Sequence, residues 1–236
     1  MININNVSFG YEKDLIINNL SALLDGNISI IGKSGCGKTT LLHLISGILT
    51  PSNGSILINN EDNSTYRNSI GLVMQKGGVF PYKTVYENIS LGLQIKKDEG
   101  IEDKVNKVAK KLGLSDKLNK YPKELSGGQI QRTALGRILC MCPQILLLDE
   151  PFSSLDEITR QKLQDEIIGI SADEKIHVVT VTHSIQEAVI LGDKLLVMGD
   201  SGSIVKTYDT KKYLDRDINY FNKCIEIDKE IRSILV

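Results

Sequence analysis

Gly32-Lys33-Ser34-Gly35-Cys36-Gly37-Lys38-Thr39 lies between two apolar runs, Ile28 to Ile31 before it and Leu41, Leu42, Leu44 and Ile45 after it. The order reads as strand, glycine loop, helix. Glycines let successive backbone N–H groups curl around an oxyanion, and the helix that follows aims its positive end at the same point. Lys38 supplies a point charge for outer phosphates and the Thr39 hydroxyl a ligand for Mg2+. Cys36 lies inside this loop, where its backbone matters more than its sulfur.

Working outward, residues 2 to 10 alternate apolar and polar (Ile2, Ile4, Val7, Phe9), and Ile16, Ile17, Leu20, Leu23 and Leu24 continue in strand-like runs. Short antiparallel strands are the simplest reading. Tyr11 follows Gly10 and reads on its own as a half-buried turn aromatic. After the helix, Thr50 to Ser55 is a dense turn signal, and Ile56 to Ile58 and Ile70 to Met74 read as strands, the second ending at Gln75. Between about residues 76 and 142 the texture becomes helical. Ile101, Val105, Val108, Ala109 and Leu112 recur at helical spacing, with Gly113 as the C-terminal stop.

The sheet resumes with Ile145 to Leu148, an unbroken apolar run suited to burial on both faces, and ends in Asp149 and Glu150. Two carboxylates at such a strand end are costly to bury, so a cation or a water-handling role should offset them. A helix from Glu157 to about Ile170, a strand from Val178 to Thr182 ending in His183, a helix from Ile185 to Leu191 and a strand from Leu195 to Met198 follow. This alternation implies a mainly parallel sheet with ligands at the strand C-termini. Gly32, Gln75, Asp149, Glu150 and His183 would then share one edge. Organisation follows: a core from 1–75 and 143–200, a helical subdomain from 76–142, and a peripheral tail from 201–236 ending in a helix.

The chain has 236 residues, 41% hydrophobic and 24% charged, enough for one large α/β domain. A net charge of -1 implies no strongly basic face, which argues against nucleic acid as partner. The N-terminus lacks the basic start and apolar block of a signal peptide, and no run approaches the roughly 18 apolar residues of a membrane span. A soluble cytoplasmic chain is expected, with any membrane link through a partner. Cys36, Cys140, Cys142 and Cys224 have no spacing for disulfides or zinc; Cys140 and Cys142 end an apolar helix pattern and read as buried core thiols.

Leu125-Ser126-Gly127-Gly128-Gln129 follows the turn at Tyr121-Pro122 and opens another helix pattern (Ile130, Ala134, Leu135, Ile138). It is a second anion-binding helix end. Since one nucleotide already has its phosphate loop, this second end suggests a site completed by another copy. At this point the chain closely resembles the ATP-binding subunits of ABC transporters. The motifs occur in order: an aromatic at Tyr11, the Walker A loop from Gly32 to Thr39, Gln75, the signature Leu125 to Gln129, Walker B Ile145 to Asp149 with Glu150, Ser154-Leu155-Asp156, and a switch histidine, His183.

That resemblance implies an α/β P-loop NTPase (RecA-like) core with a mainly parallel sheet, an N-terminal antiparallel β subdomain and a helical subdomain insertion. It implies ATP and Mg2+, with hydrolysis in a head-to-tail dimer of two composite sites. Tyr11 would stack on adenine, and Gly32, Lys33, Ser34, Gly35, Cys36, Gly37, Lys38, Thr39 and Thr40 would cradle the phosphates. Thr39, Gln75 and, through water, Asp149 would handle Mg2+. Glu150 would polarise the attacking water, with His183, Lys38 and Gln75 completing the catalytic set. Ser126 and Gly128 from the opposite subunit would close over the γ-phosphate, with Gly127, Gln129 and Asp156 also in the nucleotide-binding set. The block from Phe80 to Ile89 and the tail at Arg216-Asp217 look like importers of the nitrate/sulfonate/taurine group. There the region from Gln75 to Asn88 would meet integral membrane permease subunits served by an extracellular solute-binding protein, placing the chain on the inner face of the cell membrane. Tyr82, Gly136 and Ser184 depart from that group's usual residues. The alternatives are an exporter or lipoprotein-release ATPase, or a soluble ABC protein acting on ribosomes or DNA.

Overall fold

The computed structural model describes residues 1–12, 14–75, 78–153, 155–211 and 218–234. The chain runs β1 (Ile2–Tyr11), β2 (Asp14–Leu24), β3 (Ile28–Gly32), α1 (Lys38–Ile45), β4 (Asn53–Ile58), β5 (Glu61–Asp62) and β6 (Ile70–Val73). Three helices follow, α2 (Val85–Lys96), α3 (Ile101–Lys111) and α4 (Gly127–Leu139). Alternation then takes over: β7 (Ile145–Asp149), α5 (Glu157–Glu174), β8 (His177–Val181), α6 (Ile185–Leu191), β9 (Lys194–Met198), β10 (Ile204–Asp209) and α7 (Ile218–Ile234).

Two sheets result. One is antiparallel in the order β2-β1-β4-β5, and the other runs β10-β9-β3-β8-β7-β6 with β9, β3, β8, β7 and β6 parallel. Because side chains alternate across a strand, each central strand feeds two cores. Ile145 and Leu147 of β7, Val179 and Val181 of β8, and Leu196 and Met198 of β9 meet α1 and the inner face of the antiparallel sheet. Leu146, Leu148, Val178, Leu195 and Val197 meet the helices on the opposite face. Helix α1 is therefore held between the two sheets by Leu41, Leu42, Leu44 and Ile45, all buried. That fixes the direction of its N-terminus, and with it the phosphate loop.

Several local readings change. The N-terminal strands are not short: β1 and β2 pair along almost their whole length, with three register shifts, and Asn6 and Asn19 adopt positive φ in the ribbon. Asn6 Nδ2 donates to Asn19 Oδ1 at 2.9 Å, while the Asn6 and Asn19 N–H groups donate to the hydroxyls of Ser21 and Ser8. The segment after Ser201 is not merely peripheral. β10 joins the main sheet antiparallel to β9, and Tyr220, Cys224, Ile227 and Ile231 of α7 enter the core. Cys140 is buried as read, but Cys142 is exposed in the turn after α4 at φ 50. Tyr11 ends β1 and is 48% exposed, packed edge-on against Phe9.

Candidate active site

The phosphate loop is fixed by its backbone. Gly35 and Gly37 have φ of 82 and 104, a region that penalises a Cβ. A Cβ on Gly37 would also come within 3.1 Å of Ile16. Lys38, only 8% exposed, donates from its ammonium to the carbonyls of Gly32 (2.9 Å) and Lys33 (2.8 Å), and that group lies 4.0 Å from Cys36 Sγ. The loop thus carries its positive charge on its own carbonyls, facing the same cavity as the α1 N-terminus.

That cavity, about 440 Å³, is lined by Gly32, Ser34, Gly35, Gly37, Lys38, Thr39 and Thr40 together with Ile16, Gln75, Glu150 and His183. Residues more than a hundred positions apart meet there because β3, β6, β7 and β8 are parallel and end on one edge. Gln75 Nε2 donates to Glu150 Oε2 at 2.7 Å, and His183 Nδ1 stands 3.5 Å from the same oxygen. Glu150 has φ 45, and its N–H donates to Val181 O at 2.9 Å. This backbone turn swings the carboxylate out of the strand direction into the cavity.

Asp149, 6% exposed, accepts the Thr39 hydroxyl at 3.0 Å on Oδ2 and 3.2 Å on Oδ1. Burial raises its pKa, the Thr39 hydrogen bond opposes the rise, and the neighbouring Glu150 charge adds to it. Thr39, Asp149 and Gln75 offer oxygen donors, the set a hard divalent cation takes. Among the described residues no group of three or more His, Cys, Asp or Glu is placed to hold a metal alone. A small donor set fits Mg2+, whose other ligands are usually water and phosphate.

The remaining sequence-predicted residues are not part of this wall. Lys33 contributes its carbonyl to Lys38, and Cys36 is buried beneath the loop, its pKa raised by burial. Tyr11 does not line the cavity; Ile16 of the neighbouring strand does, and its apolar side chain in a strand pattern gave no sign of this. Ser126, Gly127, Gly128 and Gln129 open α4 elsewhere on the chain. Ser126 Oγ accepts from Gln129 N–H at 3.3 Å and Gln129 Oε1 from Ser126 N–H at 3.0 Å, a capping box. A Cβ on Gly128 would reach 2.4 Å from Thr159 Cγ2, so α4 and α5 touch there backbone to side chain. Asp156 caps α5 by accepting from Thr159 N–H at 3.0 Å, and hydrogen bonding with the Thr159 side chain and then its N–H lowers the Asp156 pKa. Ser154, Arg216 and Asp217 lie outside the described residues, as do Lys76 and Gly77 within the expected permease-facing region.

Behind the cavity a second polar cluster was missed by sequence reading. Glu187, 6% exposed, accepts a hydrogen bond from the Thr182 hydroxyl, and Arg160 Nε lies 3.5 Å from its other oxygen. Burial raises the Glu187 pKa, opposed by Thr182 and Arg160.

Comparison with known proteins gives concordant matches. Residues 19–153 match the family model described as ABC transporter. The chain is 36% identical over 225 residues to the aliphatic sulfonates import ATP-binding protein of Bacillus cereus, covering 92% of this chain and 89% of that one. It is 38% identical over 185 residues to the taurine import ATP-binding protein of Pelagibacter ubique (77% and 70%). It is also 36% identical over 228 residues to the spermidine/putrescine import ATP-binding protein of Acetivibrio thermocellus, where it spans 94% of itself but only 64% of that relative's length. A dimeric ATP-binding cassette in a post-hydrolysis state, bound to ADP and Pi, superposes with a TM-score of 0.79 at 28% identity, covering 89% of this chain and 99% of that one.

Proposed function

The chain belongs to the ABC transporter family of ATP-binding proteins, whose members are ATPases, and we propose that it is the ATP-hydrolysing subunit of an importer. The observation that carries this reading is the single cavity joining a phosphate loop to a carboxylate, Glu150, held between Gln75 and His183. Lys38 and the loop N–H groups bind the β- and γ-phosphates. Glu150 accepts a hydrogen bond from the attacking water and aims it, while His183 contacts the γ-phosphate and holds that water in line. Gln75 orients Glu150. Catalysis is then positioning and electrostatic stabilisation, as phosphoryl transfer requires. Mg2+, held by Thr39, Gln75 and, through water, Asp149, would neutralise phosphate charge.

Ser126, Gly127, Gly128, Gln129 and Asp156 lie outside the cavity wall, which supports a site completed by a second copy in a head-to-tail dimer. The relatives named for taurine and aliphatic sulfonate import support a small solute of the nitrate, sulfonate or taurine type, delivered by an extracellular solute-binding protein. Permease subunits would dock on the Gln75 to Asn88 region, keeping the chain at the inner membrane face; among the described residues no helix is long and apolar enough to cross a membrane. The net charge of -1 gives no basis for nucleic-acid binding. The test is Glu150→Gln in the full chain. It should bind ATP as the unaltered protein does while hydrolysis falls on the order of 100-fold or more; undiminished turnover would remove Glu150 from its role.

A further inference from the structure

The polar cluster behind the cavity joins two segments that flank the reacting residues. Arg160, in the first turn of α5, donates from Nη2 to Leu155 O at 2.9 Å and from Nη1 to Glu157 Oε2 at 2.7 Å, so it grips the chain on both sides of Asp156. Its Nε is buried, makes no hydrogen bond and faces Glu187 Oε1 at 3.5 Å. Glu187 Oε2 is hydrogen-bonded to the Thr182 hydroxyl, and that hydroxyl accepts from Ser184 N–H at 3.1 Å. Ser184 Oγ in turn accepts from Glu187 N–H at 3.3 Å. Thr182 and Ser184 are the two neighbours of His183, and Thr182 is fully buried.

His183 itself is 66% exposed at its side chain. Its direction is therefore set by the backbone on either side rather than by packing around the imidazole. A buried carboxylate is expensive unless paired, and a hydrophobic side chain at 187 would fill the same space between α5 and α6. The charge pair has a use if the two segments must keep a fixed mutual register.

We propose that Arg160, Glu187 and Thr182 form a positioning couple that locks the His183 turn to the Leu155–Glu157 segment. A displacement of either segment is thereby transmitted to the other. Resting on the hydrolytic reading above, the couple touches neither nucleotide nor water; it acts through His183.

The experiment measures kcat and KM for ATP hydrolysis by the full chain, with thermal unfolding alongside, for the unaltered protein, His183→Ala, Glu187→Gln, Thr182→Val, Thr182→Ser and the Glu187→Gln/Thr182→Val double variant. A misplaced group can lose on the order of 10- to 100-fold in rate. Glu187→Gln and Thr182→Val should lose that much in kcat with KM changed by less than about twofold. Thr182→Ser, which restores the hydroxyl, should return to the unaltered rate. The double variant should be no slower than the slower single, since the groups act as one unit. Thr182→Ser as slow as Thr182→Val, or Glu187→Gln at full rate while His183→Ala is slow, would overturn the couple alone. Should Glu187→Gln fail to fold, the Val and Ser variants decide by themselves. No hydrolysis by the unaltered chain, or full hydrolysis by His183→Ala, would overturn the reading on which the couple rests.

Discussion

At Glu150 two demands meet in one residue. The strand β7 must end, and a carboxylate must leave its line to face the phosphate loop; the chain meets both with a φ of 45, where a Cβ is penalised by about 1 kcal/mol or more. Glu150→Gly should therefore be more stable than Glu150→Ala by about 1 kcal/mol, both being inactive. Equal denaturation midpoints would show the backbone there to be relaxed. His177, at the start of β8, is a second residue with a cost. It is half-buried, its Nε2 is buried without a hydrogen-bond partner, and burial lowers its pKa to about 4. An unfolded chain takes up that proton near pH 6.5, so its contribution to stability is complete above that value and declines as pH falls toward 4, by at most about 1.4 kcal/mol per pH unit. The buried carboxyls Asp149 and Glu187, with raised pKa values, act in the opposite sense on acidification. The informative quantity is thus the difference between the protein and His177→Leu. Its slope should vanish above about pH 6.5 and be positive between there and about 4; a flat difference would contradict the buried neutral imidazole.

At the scale of elements, the contact of α4 with α5 separates packing from chemistry. Gly128→Ala places a methyl 2.4 Å from Thr159 Cγ2, which should cost about 1–3 kcal/mol of stability. Adding Thr159→Ser removes the obstructing methyl and should restore the unfolding midpoint. If Gly128 also serves a second copy through its backbone, hydrolysis stays low in the double variant; recovery of both together would assign Gly128 to packing alone. The parallel strands were legible because burial on both faces leaves unbroken apolar runs such as Ile145 to Leu148. Gly32, Gln75, Glu150 and His183 were legible for the same reason, since a strand's end locates an edge. β10 was not, because on the face that carries Ile204 and Tyr208 the residue between them, Lys206, is charged and exposed, and Val205, Thr207 and Asp209 lie exposed on the other face. Nor was the Arg160, Glu187 and Thr182 cluster, whose members are ordinary helix and strand residues until α5 and α6 bring them together. Ile16 shows the remaining limit: a strand pattern assigns a side chain to a face and says nothing of the cavity beside it.

At the scale of the whole molecule, the phosphate loop and the signature end of α4 are separate features of one chain. If a second copy completes the site, the rate per chain should fall steeply on dilution of the isolated protein while ATP binding does not. A rate independent of concentration would leave the site complete in one chain. The antiparallel sheet has another consequence. Its edge strand, β2, is eleven residues long and exposes Leu15 and Leu23, features that in a flat strand invite a foreign chain to add on. The register shifts between β1 and β2, with Asn6 and Asn19 clasped side chain to side chain, bend and twist that ribbon as bulges do, so that its edge is not flat. The irregularity therefore also guards solubility: it denies a newly made neighbouring copy a straight template during the interval before either has finished folding.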